Sequence, residues 1–134
     1  GTIFSVLLIL ISCNKKREYA QFGEFYFANQ TNYNITYPKG FEKFNVMANS
    51  SILIRDTQDA VKEVDPSKFH PPFSGIGLPV VIRFNHVKCL EINVNSEHSL
   101  LDIKNYVTEK IGDRTYKFTY TFTEADYNRA VACP

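Results

Sequence analysis

The chain of 134 residues contains no tryptophan, one methionine and only three histidines. It also has almost no excess charge, since 15 lysines and arginines stand against 14 aspartates and glutamates. Proteins that bind nucleic acid carry a basic stripe on one face, so the near-neutral balance argues against that function. The longest apolar run covers residues 3–11, whereas a helix that spans a bilayer needs about 20 residues. A transmembrane helix is therefore not expected.

Patterns that indicate catalysis or metal binding are also missing. His70, His86 and His98 lie in loop-like contexts, and no second pair of ligands accompanies the metal-like spacing of His86 and Cys89. No Gly-x-Ser-x-Gly nucleophile motif occurs, and the acidic residues are scattered without a distinctive pair for glycosidase chemistry. We therefore predict no enzymatic activity, no cofactor and no metal.

The apolar run ends in Leu10-Ile11-Ser12-Cys13, and the basic cluster Lys15-Lys16-Arg17 follows. A short apolar segment of roughly 7–15 residues is typical of a secretory signal. Residues 10–13 resemble the lipobox of bacterial lipoproteins, in which the cysteine is lipidated and becomes the mature N-terminus. The resemblance implies a signal peptide over residues 1–12, a lipid anchor on Cys13 and a location in the cell envelope. A buried strand or a first core helix is the alternative interpretation.

The context of the run refines this expectation. No methionine and no basic segment precede it, so we expect the signal peptide to be incomplete at its N-terminus. In lipoproteins that this chain resembles, an aspartate directly after the lipidated cysteine is a signal for retention at the inner membrane. This chain has Asn14 at that position, so an outer-membrane lipoprotein is expected. Whether it faces the periplasm or the cell surface stays open. Residues 13–22 are predicted to be the lipidated cysteine and a polar tether, and residues 23–134 to be one domain.

Lipidation of Cys13 would leave Cys89 and Cys133 as the two remaining cysteines. The cell envelope is an oxidising compartment, in which a disulfide between them is possible. Closing a loop of about 44 residues would stabilise the fold by about 3–4 kcal/mol on the chain-entropy model. A buried free thiol at Cys89 and a frayed end at Cys133 form the alternative, and the sequence leaves both open.

Strand-like segments recur about every ten residues, which is the spacing of a sandwich or barrel. Residues 115–123 alternate strictly, which predicts a strand with one buried face. Residues 80–92 indicate a hairpin that turns at Asn85 and His86. The large side chains on one face of the alternating segment are Tyr116, Phe118, Tyr120 and Phe122.

Other segments are less regular. Prolines and glycines predict a long irregular connection over residues 56–77, and residues 100–107 suit either a loop or a short strand. Thr123 and Asp126 have the spacing of a capping box before a short helical turn. The pattern predicts an all-β fold, an antiparallel immunoglobulin-like β-sandwich of about seven strands with a short C-terminal helical turn. A small lipocalin-like barrel is the alternative.

Asn-x-Ser/Thr sequons begin at Asn29, Asn34 and Asn49. In a chain with a bacterial lipobox we interpret them as residues of turns and strand faces. Tyrosine has an apolar ring and a polar tip, which suits stacking on a sugar. The candidates for such surface tyrosines are Tyr19, Tyr26 and Tyr106.

Residues 25–31 and the segment from Tyr116 to Tyr127, preceded by Asn105-Tyr106, are similar to segments of small lipoproteins of the Bacteroidetes. This resemblance implies an anchored immunoglobulin-like envelope domain, with no catalytic residues to transfer. We therefore predict a lipid-anchored, non-enzymatic module that binds a protein or glycan partner. The alternatives are a periplasmic inhibitor or immunity-type lipoprotein, and a carrier of a small apolar ligand.

Overall fold

A computed structural model describes residues 19–37, 44–73 and 77–134, which form two packed β-sheets. The predicted signal peptide, the lipidation site Cys13 and the basic cluster at residues 15–17 lie outside the described residues. The helix α1 covers Glu124–Arg129, and short 3₁₀ helices cover Pro66–Lys68 and Ile103–Asn105. None of the described helices is long and apolar enough to cross a bilayer. The strands are β1 (Tyr19–Asn29), β2 (Ile35–Thr36), β3 (Asn45–Val46), β4 (Ser51–Ala60), β5 (Val80–Phe84), β6 (Lys88–Ile92), β7 (Val107–Gly112), β8 (Thr115–Phe122) and β9 (Val131–Ala132).

The first sheet has the strand order β4-β1-β8-β7, and the second has the order β3-β2-β5-β6-β9. The predicted all-β sandwich is therefore confirmed. The lipocalin-like barrel is wrong for the described residues, because each sheet ends in two edge strands and neither closes on itself.

The prediction of a wholly antiparallel sandwich is wrong at the centre of the first sheet. β1 and β8 pair in parallel, with Phe25 opposite Phe118 in the register. Their rings stack with centroids 4.7 Å apart. Both strands carry large aromatic residues on their buried face, and placing them side by side joins these faces into one apolar surface. The residues are Phe25 and Phe27 in β1 and Tyr116, Phe118, Tyr120 and Phe122 in β8.

The domain starts earlier than predicted, because β1 begins at Tyr19 and not after Phe22. The last four residues assigned to the tether therefore belong to the sheet. Gln21 shows why, since its buried side chain accepts from the Val64 N–H at 2.8 Å and donates to the Val64 carbonyl at 3.0 Å. The sequence shows only that Gln21 is polar, which is typical of a tether, and does not show that its hydrogen-bond partners lie inside the domain.

Several local predictions are confirmed. The alternating segment forms β8 with its odd-even burial pattern, and the capping box of Thr123 and Asp126 is present at the start of α1. Residues 80–92 form the β5–β6 hairpin, in which Asn85 and His86 have φ values of 50° and 60°. Residues 100–107 contain a 3₁₀ helix and the first residue of β7, and the predicted irregular stretch begins only after Ala60, where β4 ends.

Aromatic rings fill the space between the two sheets. The Phe27 ring has edge or tilted contacts with four other rings, at centroid distances of 5.2 to 6.3 Å. Aromatic pairs prefer such edge-to-face and offset arrangements. The rings around Phe27 belong to Phe44, Phe73, Tyr106 and Tyr120.

Candidate functional site

The end of the sandwich opposite Tyr19, called the distal end below, gathers the segments that follow β1 and β8. Backbone hydrogen bonds join these segments, from Gln30 N–H to the Phe122 carbonyl at 3.0 Å and from Asn49 N–H to the Thr31 carbonyl at 3.2 Å. The β5–β6 turn joins them through Asn85, whose Oδ1 accepts from the Asn34 N–H at 2.7 Å. The distal end consists of residues 30–34, 47–50, 85–87 and 123–129.

Asn29, only 2% exposed, holds two loops of the distal end. Its Nδ2 lies 2.7 Å from the carbonyl oxygen of Tyr33, 3.0 Å from that of Val46 and 3.2 Å from that of Met47. Its Oδ1 accepts from the N–H and the hydroxyl of Thr31, at 2.9 and 2.7 Å. Every polar atom of this side chain is thus engaged inside the protein. The interpretation of this sequon as a structural turn is confirmed.

Asp126, 1% exposed, is a second buried polar residue at the same end. The Thr123 N–H donates to its Oδ2 at 2.8 Å, which completes the capping box. The Nδ1 atom of His98 lies 2.8 Å from its Oδ1, and Nη2 of Arg129 donates to that same oxygen. A buried carboxylate needs several donors to offset its loss of hydration. Asp126 therefore fixes α1, Arg129 and the loop that carries His98 relative to one another.

His98 is held on its other side by Tyr120. The two rings stack with centroids 4.6 Å apart, and the Tyr120 hydroxyl donates to the His98 carbonyl at 2.6 Å. Burial, followed by the charge of Asp126, raises the pKa of Tyr120 above its usual range, so this hydroxyl stays protonated and remains a donor. Within the described residues the His98 ring bonds only to Asp126 and Tyr120. This arrangement holds a loop in place.

The aromatic surface of the distal end is a stack of Tyr33 on Tyr127, with ring centroids 3.9 Å apart and planes inclined by 14°. The Lys88 Nζ lies 4.3 Å from the centre of the Tyr127 ring, and the Phe84 ring meets its edge at 5.4 Å. A hydrogen bond with Tyr127, followed by burial, raises the pKa of Tyr33. Both tyrosines are partly exposed. The two rings are therefore held at a fixed position on the surface.

The tyrosines predicted to lie on the surface behave differently. Tyr106 is buried, and its hydroxyl donates to the Leu100 carbonyl at 2.6 Å, so that prediction is wrong. Its ring contacts those of Phe25, Phe27 and Tyr120 in the core, and these distant contacts are not visible in the sequence pattern. Tyr19 and Tyr26 are partly exposed, and each ring contacts a cation, of Arg114 and Lys117 respectively. Tyr19 begins β1 at the opposite end of the sandwich, and Tyr26 lies within β1 and is not one of the distal-end residues.

Cys89 and Cys133 form a disulfide with an S–S distance of 2.03 Å. It joins β6 to the residue that follows β9, and the Cys133 N–H also donates to the Val87 carbonyl at 3.1 Å. The chain is thus fixed a few residues after α1. The disulfide therefore supports the helix that carries Asp126 and Tyr127.

The surface of the distal end is mainly polar. Its exposed polar side chains are Gln30, Asn32, Asn49, Ser50, Asn85, His86, Glu124 and Asn128.

In the described ranges 19–37, 44–73 and 77–134, no three His, Cys, Asp or Glu residues are grouped so that they could hold a metal ion. Comparison of the chain with protein-family models, curated proteins and solved structures gives no match.

Proposed function

We propose that the protein is a lipid-anchored component of the cell envelope that binds a protein or glycan partner through its distal end and catalyses no reaction. The observation that carries this proposal is that Asn29 and Asp126 hold the loops and the helix of one end in fixed positions. Ordering loops during association costs free energy, and a surface ordered beforehand avoids that cost. Loops held by a rigid scaffold are also the usual place for binding residues.

The proposed anchor orients this surface. Five residues separate Cys13 from Tyr19, so the six steps between them can span at most about 22 Å. The 11 residues of β1 then carry the chain about 33 Å from Tyr19 to the distal end. A lipid on Cys13 would keep the Tyr19 end near the bilayer. The distal end could then point away from the membrane, where a partner can reach it.

The packing bears on the carrier hypothesis and on the type of sandwich. An apolar ligand would need a cavity of several hundred Å³, whereas aromatic rings occupy the space around Phe27. This disfavours a carrier and leaves the inhibitor or immunity-type lipoprotein, which would use the same distal end.

The immunoglobulin-like type of sandwich stays part of the proposal. The two packed sheets support it, and the parallel pair of β1 and β8 departs from its antiparallel pattern.

The anchor is tested with Cys13→Ala in the full-length protein of the native host. We expect the wild type to sediment with the membranes and the variant to appear in the soluble envelope fraction, because the thioether lipid cannot form. Asn14→Ala is the matched control, since it changes the neighbouring residue and leaves both the proposed lipid site and the Cys89–Cys133 disulfide intact. Sedimentation of Cys13→Ala with the membranes would contradict the anchor.

The binding surface is tested by capture of partners from envelope extract with two matched variants. Val87 at the distal end and Val61 beside the Tyr19 end are both exposed, at 64% and 74%. We expect Val87→Arg to reduce the captured partner by about tenfold or more, because a bulky charge in an interface is poorly accommodated. Val61→Arg should leave capture unchanged. Equal effects of the two substitutions would refute binding through the distal end.

A further inference from the structure

A cleft with a volume of about 250 Å³ opens beside the C-terminal end of α1. Pockets for drug-sized molecules usually measure about 300–1,000 Å³, so this cleft is better suited to a single side chain. It lies where β6 continues beyond its short partner β9, which pairs only with Lys88 and Cys89. The residues that line it are Leu90, Glu91, Ile92, Ser96, Glu97 and Arg129.

The cleft includes an open strand edge. The Val87 carbonyl accepts from the Cys133 N–H, and the main-chain groups of alternate residues along a strand face the same neighbour. Those of Cys89 and Glu91 consequently face the β9 side. Cys89 is paired there with Val131, whereas Glu91 has no strand partner on that side among the described residues. Its N–H and carbonyl are therefore placed to pair with an added segment of chain.

The charges of the cleft favour a cation. The guanidinium of Arg129 is paired with buried Asp126, which offsets its positive charge. Glu97 is 76% exposed and lies 3.4 Å from the Arg129 Nη1, and Glu91 is also exposed. An exposed ion pair contributes only about 0–1 kcal/mol, so Glu97 can turn toward a ligand. Because Asp126 offsets the charge of Arg129, the carboxylates of Glu91 and Glu97 give the mouth of the cleft a net negative charge.

The inner wall is apolar, because Ile92 is 3% exposed and Leu90 is partly buried against the core. Lysine and arginine side chains place their aliphatic part on apolar surface and their charge at a polar rim. We propose that the cleft binds a lysine or arginine side chain from an extended segment of a partner protein. The stem lies along Leu90 and Ile92, the cation lies beside Glu97 at the mouth of the cleft, and the segment pairs with the edge of β6. Glu91 points to the other face of the strand and adds to the negative charge at the edge of the cleft. This inference rests on the proposed function for the existence of a partner.

The test is a titration of the full chain with acetylated and amidated Thr-Val-Lys-Val-Thr, followed by the amide resonances of the protein. Peptides with norleucine or glutamate at the centre keep the extended backbone and change only the charge. We expect the lysine peptide to bind at least about tenfold more tightly than the norleucine peptide, and to shift the resonances of residues 90–92, 96 and 97. Equal affinities, tighter binding of the glutamate peptide, or shifts confined to other regions would each overturn the proposal.

The double variant Glu91→Gln with Glu97→Gln should reduce the preference for lysine over norleucine to within about twofold. Glu109→Gln, on exposed β7, is the matched control and should leave the preference intact. A preference that survives in the double variant would refute the role of the two carboxylates. The titration needs neither the lipid nor the natural partner. Failure of the peptide to bind, with capture still sensitive to Val87→Arg, would therefore overturn the cleft inference and leave the proposed function standing.

Discussion

Replacing Asp126 with asparagine is expected to lower the free energy of unfolding by about 3 kcal/mol. The side chain keeps its size, but an amide offers one acceptor oxygen where the carboxylate offers two. The carboxylate serves the Thr123 N–H, His98 and Arg129. In Asp126→Asn the amide group would face one of these donors, and the charge opposite Arg129 would be lost. Arg129 and His98 are partly exposed, so water offsets part of this loss and keeps it at the lower end of values for buried ion pairs.

Urea denaturation measures this difference through the midpoint, provided that the slope of free energy against urea stays constant. Glu124→Gln is the matched control, because Glu124 lies in the same first turn of α1 and is exposed. Its effect should stay below about 0.5 kcal/mol. Similar losses in the two variants would mean that the helix responds to any lost negative charge near its N-terminus, and that the buried contacts of Asp126 contribute little.

The second large effect is expected from the disulfide. Removing a cross-link that closes 44 residues should cost about 4 kcal/mol on the chain-entropy model. The substitution Cys133→Ser is preferable to a change at Cys89, because Cys89 is buried while Cys133 is partly exposed. It removes the cross-link and keeps the packing of the Cys89 sulfur. A Cys13→Ala background prevents a new disulfide with the third cysteine.

The same measurement in a reducing agent supplies the control. Wild type and Cys133→Ser should then unfold at similar urea concentrations, because neither has the cross-link. Under oxidising conditions only the wild type should gain stability. Identical midpoints of the two proteins under oxidising conditions would show that the disulfide does not stabilise the fold.

The fold was predictable where burial differs between the two faces of a strand. In β8 each buried aromatic residue alternates with a partly exposed polar one, so the period of two is visible in the sequence. All six residues of β7 are exposed, and its residues 107–110 consequently show no alternation that would separate a strand from a loop. The parallel pairing of β1 with β8 was not predictable either, because the sequence pattern does not specify which strands become neighbours.

The candidate site shows the same division between local and distant contacts. The spacing of Thr123 and Asp126 indicated the capping box, because both partners lie within one turn. His98 lies 28 positions away from Asp126 along the chain, and its loop-like context gave no indication of this contact. The role of Asn29 had a local signal, since an Asn two positions before Thr31 suits a turn in which the amide oxygen accepts from the backbone. The further contacts of Asn29 with the 46–47 region depend on the tertiary fold.

The position of β1 between β4 and β8 has a consequence for biogenesis. Phe25 and Phe118, which face each other in this sheet, are separated by about 90 residues of sequence, and contacts of such high order slow folding. A chain that emerges N-terminus first cannot complete its central sheet until β8 has been synthesised. A long delay before folding keeps a polypeptide unfolded, and the envelope location that we propose would require such an unfolded chain for passage through a narrow translocation channel.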